Sequence, residues 1–118
     1  MGMSIGWAAV QGETLDVWLK SEEFVRRTAE WAGVEVDEVT MEDASEFIRS
    51  SDDYYDLSPY YDADLDERVY GIAIQSAYDH YSLVNTKDWK FKCDQAIEKM
   101  KEDFGFTNST LYVGADVT

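Results

Sequence analysis

The 118-residue chain reads as α+β: a single compact domain, residues 1–118, with an N-terminal β-hairpin, a small antiparallel sheet and three or four helices. Two patterns carry that expectation. Near the N-terminus, apolar residues alternate with polar ones on either side of a glycine-containing turn. Further on, apolar residues recur at three- and four-residue intervals between residues that cap helices. Hydrophobic residues make up 45% and aromatics 14%, enough for one packed core at this length and too many for a disordered acidic tail.

Residues 5–10 and 15–19 are the expected strands of the hairpin. The second alternates Leu15, Val17 and Leu19 with Asp16, Trp18 and Lys20, and Gln11-Gly12-Glu13 supplies the turn. Ser21 takes the N-cap position ahead of Glu22 and Glu23, in a first turn whose dipole favours negative charge. The helix runs to Ala32 and stops at Gly33, turning Phe24, Val25, Thr28, Ala29 and Ala32 to the core. Val34, Val36 and Val39 form either a short third strand or an extended linker. Thr40 and Asp43 then spell a capping box with Asp in place of the usual Glu. It opens a helix through Arg49 with Met41, Ala44, Phe47 and Ile48 inside and Glu42, Asp43 and Glu46 outside.

Residues 50–64 have the composition of a loop and hold the only proline, Pro59. Unstructured connections of that length inside a small domain are often functional. Asp64 can cap a helix over residues 65–81, although residues 69–74, Val-Tyr-Gly-Ile-Ala-Ile, fit a buried strand equally well. The clearest helix spans 86–104, with Thr86 as cap, Gly105 as stop, and Trp89, Cys93, Ala96, Ile97, Met100 and Phe104 along one stripe. Residues 110–113 are a last strand, able to join the N-terminal hairpin.

Charge is distributed unevenly. Residues 35–67 hold thirteen carboxylates against one guanidinium, Arg49, and so carry −12 of the formal −15. Adaptation to high salt would spread the acids over the whole surface. Here Lys87, Lys90, Lys92, Lys99 and Lys101 balance Asp88, Asp94, Glu98, Glu102 and Asp103, so the acidity is regional. Such a patch repels nucleic acid and anionic membrane and attracts basic protein surfaces. The single cysteine, Cys93, excludes an internal disulfide and is read as a structural thiol on a helix face. The N-terminus lacks the basic region and apolar run of a signal peptide, and no apolar stretch reaches membrane-spanning length; a cytoplasmic protein is expected.

No catalytic pattern stands out, and the chain is read as a non-enzyme that needs no cofactor. His80 is the only histidine, which excludes histidine-pair metal clusters, and Gly2, Gly6 and Gly12 make no phosphate-binding fingerprint. Asp62, Asp64 and Asp66 copy the first ligand positions of an EF-hand loop, but Glu67 stands where that loop needs glycine and Ala73 where it needs its closing glutamate. A weaker divalent-ion site among these carboxylates is one alternative.

The main candidate site is the acidic, tyrosine-rich segment itself. Asp52, Asp53, Asp56, Asp62, Asp64, Asp66 and Glu67, extended by Glu42 and Glu46, are positioned to meet the cations that proteins array against phosphates. Tyr54, Tyr55, Tyr60 and Tyr61 add contact area, hydroxyls and ring faces for arginine. In size, acidity and clustering the chain resembles the small DNA-mimic proteins of phages and mobile elements, anti-restriction and anti-CRISPR inhibitors among them. The resemblance implies a mode of action in the cytoplasm of a bacterial host: occupation of the groove of a basic nucleic-acid-binding protein, whether nuclease, CRISPR effector or restriction enzyme, with no direct binding of nucleic acid. Asp53-Tyr54-Tyr55 followed by Pro59-Tyr60-Tyr61 is also similar to the acidic Tyr-Tyr-Pro segment with which nuclease-bacteriocin immunity proteins hold their DNase toxins. Here the proline does not directly follow the first tyrosine pair, and the expected hairpin is foreign to that all-helical family. An immunity protein is therefore the second alternative.

Overall fold

A computed structural model describes residues 5–78 and 83–117. Strands β1 (Ile5–Thr14), β2 (Tyr55–Leu57), β3 (Val69–Tyr78) and β4 (Thr110–Val117) form one antiparallel sheet in the order β2-β3-β1-β4. Four helices accompany it: α1 (Leu15–Trp18), α2 (Glu22–Ala32), α3 (Met41–Arg49) and α4 (Thr86–Phe104). The α+β class is as expected, and residues 110–113 do join the first strand, which pairs with β4 from Ile5 to Gly12. No described helix is long and apolar enough to cross a membrane.

The hairpin is the first correction. β1 runs straight through the expected turn to Thr14, and residues 15–18 then wind into one helical turn. The alternation of Leu15, Val17 and Leu19 coexists with an i, i+3 pair, Leu15 and Trp18, and both of those side chains are fully buried. Trp18 decides the outcome. Its ring stacks on Phe106 at 3.9 Å and 13° and touches Phe24 at 5.0 Å. Its indole N–H donates to the carbonyls of Glu13 and Tyr70, both at 3.1 Å. A strand through residue 18 would place that indole outside the core.

Gly12 accordingly serves the sheet and not a turn. It lies opposite Gly71 of β3, just below a register shift between Ala9 and Val10. Residues 69–78 are strand, which corrects the helix over 65–81 in favour of the alternative. β3 pairs with β1 and, at residues 69–71, with β2, and Val69 enters the smaller of two cores while Tyr70 and Ile74 enter the larger, so the run is apolar on both faces. Its helical component shrinks to a 3-10 turn at Leu65–Glu67, where Asp64 and Glu67 form a reciprocal capping box. Residues 36–38 are likewise a 3-10 turn, so neither a third strand nor a plain linker forms there. The 50–64 loop is interrupted by β2.

The helix boundaries agree closely with the capping signals. Ser21 Oγ accepts from the Phe24 amide at 3.4 Å, and Gly33 closes α2 with φ 72°. The Thr40–Asp43 capping box is present in both directions at 3.1 Å. Asn85, not Thr86, caps α4: its Oδ1 accepts from the amides of Lys87 and Asp88, and Thr86 is the first helical residue. Gly105 ends that helix at φ 67°.

Alternation along β1 divides the interior in two. Ala9 faces the main core with Tyr70 and Ile74, against Trp18, Phe24, Ile48, Met100 and Phe104 from the helices. Ala8 and Val10 face the other way, with Leu57 and Val69, beneath Tyr55 and Tyr112. Leu57 reaches far on this side. Its Cδ2 lies 3.8 Å from where a Cβ on Gly114 would sit, although two strands separate β2 from β4 in the sheet. The sheet therefore curls about this smaller core.

Candidate functional site

The structure separates the acidic segment into carboxylates that hold the fold together and carboxylates that face solvent without a counter-ion. Asp56 is of the first kind. On β2 it lies opposite Tyr70, and its Oδ2 accepts from Arg49 at 3.0 Å and from Arg68 at 2.8 Å. Arg49 also sits 5.6 Å over the Tyr70 ring, and Arg68 reaches back to the carbonyl of Ala63 at 2.9 Å. One carboxylate thus ties α3, β2 and the start of β3. Asp53, more exposed, pairs with Lys99 of α4 at 3.2 Å, and Lys99 also holds Asp103 at 3.0 Å.

The tyrosines divide in the same way. Tyr54 is only 7% exposed, which corrects its expected role as a partner anchor: its ring lies in the core 5.0 Å from Phe104. Its hydroxyl donates to Asp103 at 3.2 Å, and burial first, then the Asp103 charge, pushes the phenol well above its ordinary value. Tyr55 is half-buried against the smaller core. Tyr60 and Tyr61 are the exposed pair, Tyr61 at 77%. The Tyr60 hydroxyl donates to Glu67, whose carboxylate also accepts from the Asp64 amide at 3.1 Å. That hydroxyl contact, followed by the Asp64 amide, lowers the Glu67 carboxyl below its usual range, and the same contact raises the Tyr60 phenol.

Among the described residues, Glu42 and Glu46 on the outer face of α3, Asp52 in the turn after it, and Asp62 and Asp66 on the far loop are exposed and lack an ion pair. Glu35, Asp37 and Glu38 around the first 3-10 turn share that state. These residues lie on neighbouring elements, since α2 packs on the 36–38 turn and on α3, and α3 packs on the 65–67 turn. Asp62 sits at φ 62°, a left-handed conformation that aspartate tolerates better than most side chains.

Carboxylate oxygens of Asp64, Asp66 and Glu67 lie within 4.8 Å of one another, a trio shifted from the expected Asp62, Asp64 and Asp66. Two of the three are already committed to the reciprocal capping box. Cys93 is half-buried against the main core, and burial pushes its thiol up, as befits a structural residue. His80 lies outside the described residues.

Sequence reasoning missed Arg68, Lys99 and Asp103, the partners that engage Asp56, Asp53 and Tyr54 within the chain. Arg68 stands one residue beyond the acidic segment, and Lys99 and Asp103 lie on α4; only the β2–β3 pairing and the packing of α4 bring them to it. No family model, curated protein or solved structure matches the chain.

Proposed function

We propose that this chain is an inhibitor that binds a basic nucleic-acid-binding protein, a nuclease or CRISPR effector, by presenting carboxylates where nucleic-acid phosphates would lie. The observation that supports this is the set of exposed, unpaired acids on adjoining elements: Glu42, Glu46, Asp52, Asp62 and Asp66, continued by Glu35, Asp37 and Glu38. Packing them together costs the folded chain self-repulsion, and a surface lined with Lys and Arg relieves it. Tyr61 and Tyr60 offer ring area beside Asp62 for an arginine guanidinium. Asp53 and Asp56 contribute less, since lysine and arginine of the same chain already hold them.

The test is affinity capture from a bacterial lysate, followed by elution with duplex DNA. A nucleic-acid-binding protein should be retained by the wild type, released by the DNA, and lost when Asp52, Asp62 and Asp66 are all changed to lysine. Retention of nothing that DNA displaces would reject the reading.

The exposure of Tyr61 also favours a second reading, an immunity protein for a nuclease toxin. There the aromatic anchors dominate, so one dedicated partner stays bound in high salt and is lost in Tyr61→Ala.

A further inference from the structure

We propose that the groove between β4 and residues 57–59 binds one extended peptide segment of another protein, apolar on its inner face and carrying Lys or Arg, which adds to the open edge of β4. The curl of the sheet brings the two walls together. Leu57, Ser58 and Pro59 form one wall, residues 112–115 form the other, and a cavity of about 450 Å³ lies between them. That volume is within the range of about 300–1,000 Å³ in which binding sites commonly fall.

Three observations select this occupant. The first is the backbone. Four consecutive residues of β4 line the groove although their side chains alternate between the faces of the sheet, so the strand presents its backbone edge there. β1 takes the inner edge, and among the described residues no strand pairs with the outer one. Donors and acceptors on that side can be met by water or by another extended chain. Lysine, proline or a bulge commonly guards such an edge, and β4 has no lysine, no proline and no break in its register with β1.

The second is shape. Leu57 and Val69 of the smaller core, with Tyr112, give the groove an apolar floor. Gly114 leaves a gap in it, where an added Cβ would meet only Leu57 Cδ2, at 3.8 Å. An apolar side chain of an incoming strand fills that space. From Ala8, opposite Gly114, to Thr14 at the other end of the groove, β1 runs about 20 Å at the usual strand rise, the length of roughly seven extended residues.

The third is charge. Glu67 lines the groove with Thr14, and Glu13, next to Thr14, accepts from the hydroxyls of Thr110 and Tyr112, both at 2.5 Å. Neither carboxylate has an ion pair among the described residues, and no described Lys, Arg or His lines the groove. A basic side chain entering with the peptide answers both acids, whereas a second copy of this chain, of net charge −15, is repelled. Glu42, Glu46, Asp52, Asp62 and Asp66 lie outside the groove lining, so this inference does not rest on the nucleic-acid-mimic reading.

Fluorescence polarisation at physiological salt tests this, with a labelled peptide of alternating valine and lysine, about eight residues long, as the probe. Saturable binding is expected, and a peptide of alternating serine and lysine, equal in charge, should bind roughly tenfold more weakly. Glu67→Gln should weaken binding roughly threefold or more, while Asp66→Asn, the same change of charge outside the groove, should leave it unmoved. Gly114→Val fills the gap and should also weaken binding, with a thermal melt to check that the fold survives. Bound peptide should slow hydrogen exchange at the outward amides of residues 112–115. The proposal is overturned by the absence of saturable binding, by equal affinity for the serine peptide, or by equal losses in Glu67→Gln and Asp66→Asn. Binding that a folded Gly114→Val leaves unchanged, or that gives β4 no exchange protection, would overturn it as well.

Discussion

Gly12 and Gly71 face each other across β1 and β3 so closely that a Cβ on Gly71 would stand 2.6 Å from the Gly12 Cα. Neither position has room for a methyl group, and the obstruction in both directions is backbone. Gly71→Ala should therefore destabilise by about 2 kcal/mol or more, as overpacking of a rigid site does. Gly114→Ala should stay within about 0.5 kcal/mol, since its nearest neighbour is the flexible end of Leu57 at 3.8 Å. Urea unfolding at low protein concentration compares the two.

Asp56 and Asp52 stand four residues apart in the same acidic segment and should behave differently. Asp56→Asn removes the charge shared by Arg49 and Arg68 and should cost about 1 kcal/mol. Asp52→Asn removes an exposed, unpaired charge and should be neutral or slightly stabilising. Denaturant midpoints of the two variants settle the contrast. If they coincide, the division of the acids into structural and free sets is wrong.

Trp18→Phe keeps most of the ring volume but leaves the carbonyls of Glu13 and Tyr70 without the indole N–H that joins them. A loss of about 2–4 kcal/mol is expected from the smaller ring and the unmet acceptors together. The variant's far-ultraviolet dichroism should remain native in the absence of denaturant, while its unfolding midpoint drops.

Alkaline pH should weaken the fold through its tyrosines. The Tyr112 phenol is pushed up to about 12, first by its hydrogen bond to Glu13 and then by burial, and Tyr54 is raised further, first by burial. Below the ordinary value of 10 both states keep these protons and the stabilisation is complete. As pH rises from 10 towards 12, the unfolded phenols ionise while Tyr112 and Tyr54 in the fold do not, so stability falls. Phenolate absorbance should show Tyr112 and Tyr54 ionising above the ordinary range in the native protein, and Tyr112→Phe should flatten the decline.

Helix ends were legible because capping is local chemistry: Ser21, Thr40, Asp43, Gly33 and Gly105 each act within one turn of their own position. The strands were less so. Residues 69–74 fit helix and strand alike, and the choice depends on β1 and β2 lying on either side. Leu15 and Trp18 were drawn to the helical reading by Phe106, 88 residues away from Trp18 in sequence. The acidic segment was visible as charge, but its division was not: the cations that hold Asp53 and Asp56 arrive from α3, from Arg68 just before β3, and from α4. Tyr54 and Tyr55 look identical in sequence and point to opposite faces of the sheet because they are neighbours at a strand.

β1 is the first strand of the sheet in sequence and the last to be completed. Its two neighbours are β3, from the middle of the chain, and β4, from the end, and the ring that stacks on Trp18 comes from residue 106. A nascent chain cannot satisfy both sides of β1 or close its central aromatic stack until Phe106 and β4 have been synthesised. Folding is thereby tied to the synthesis of β4, and chains truncated before it leave the apolar residues of β1 open to chaperones and proteases.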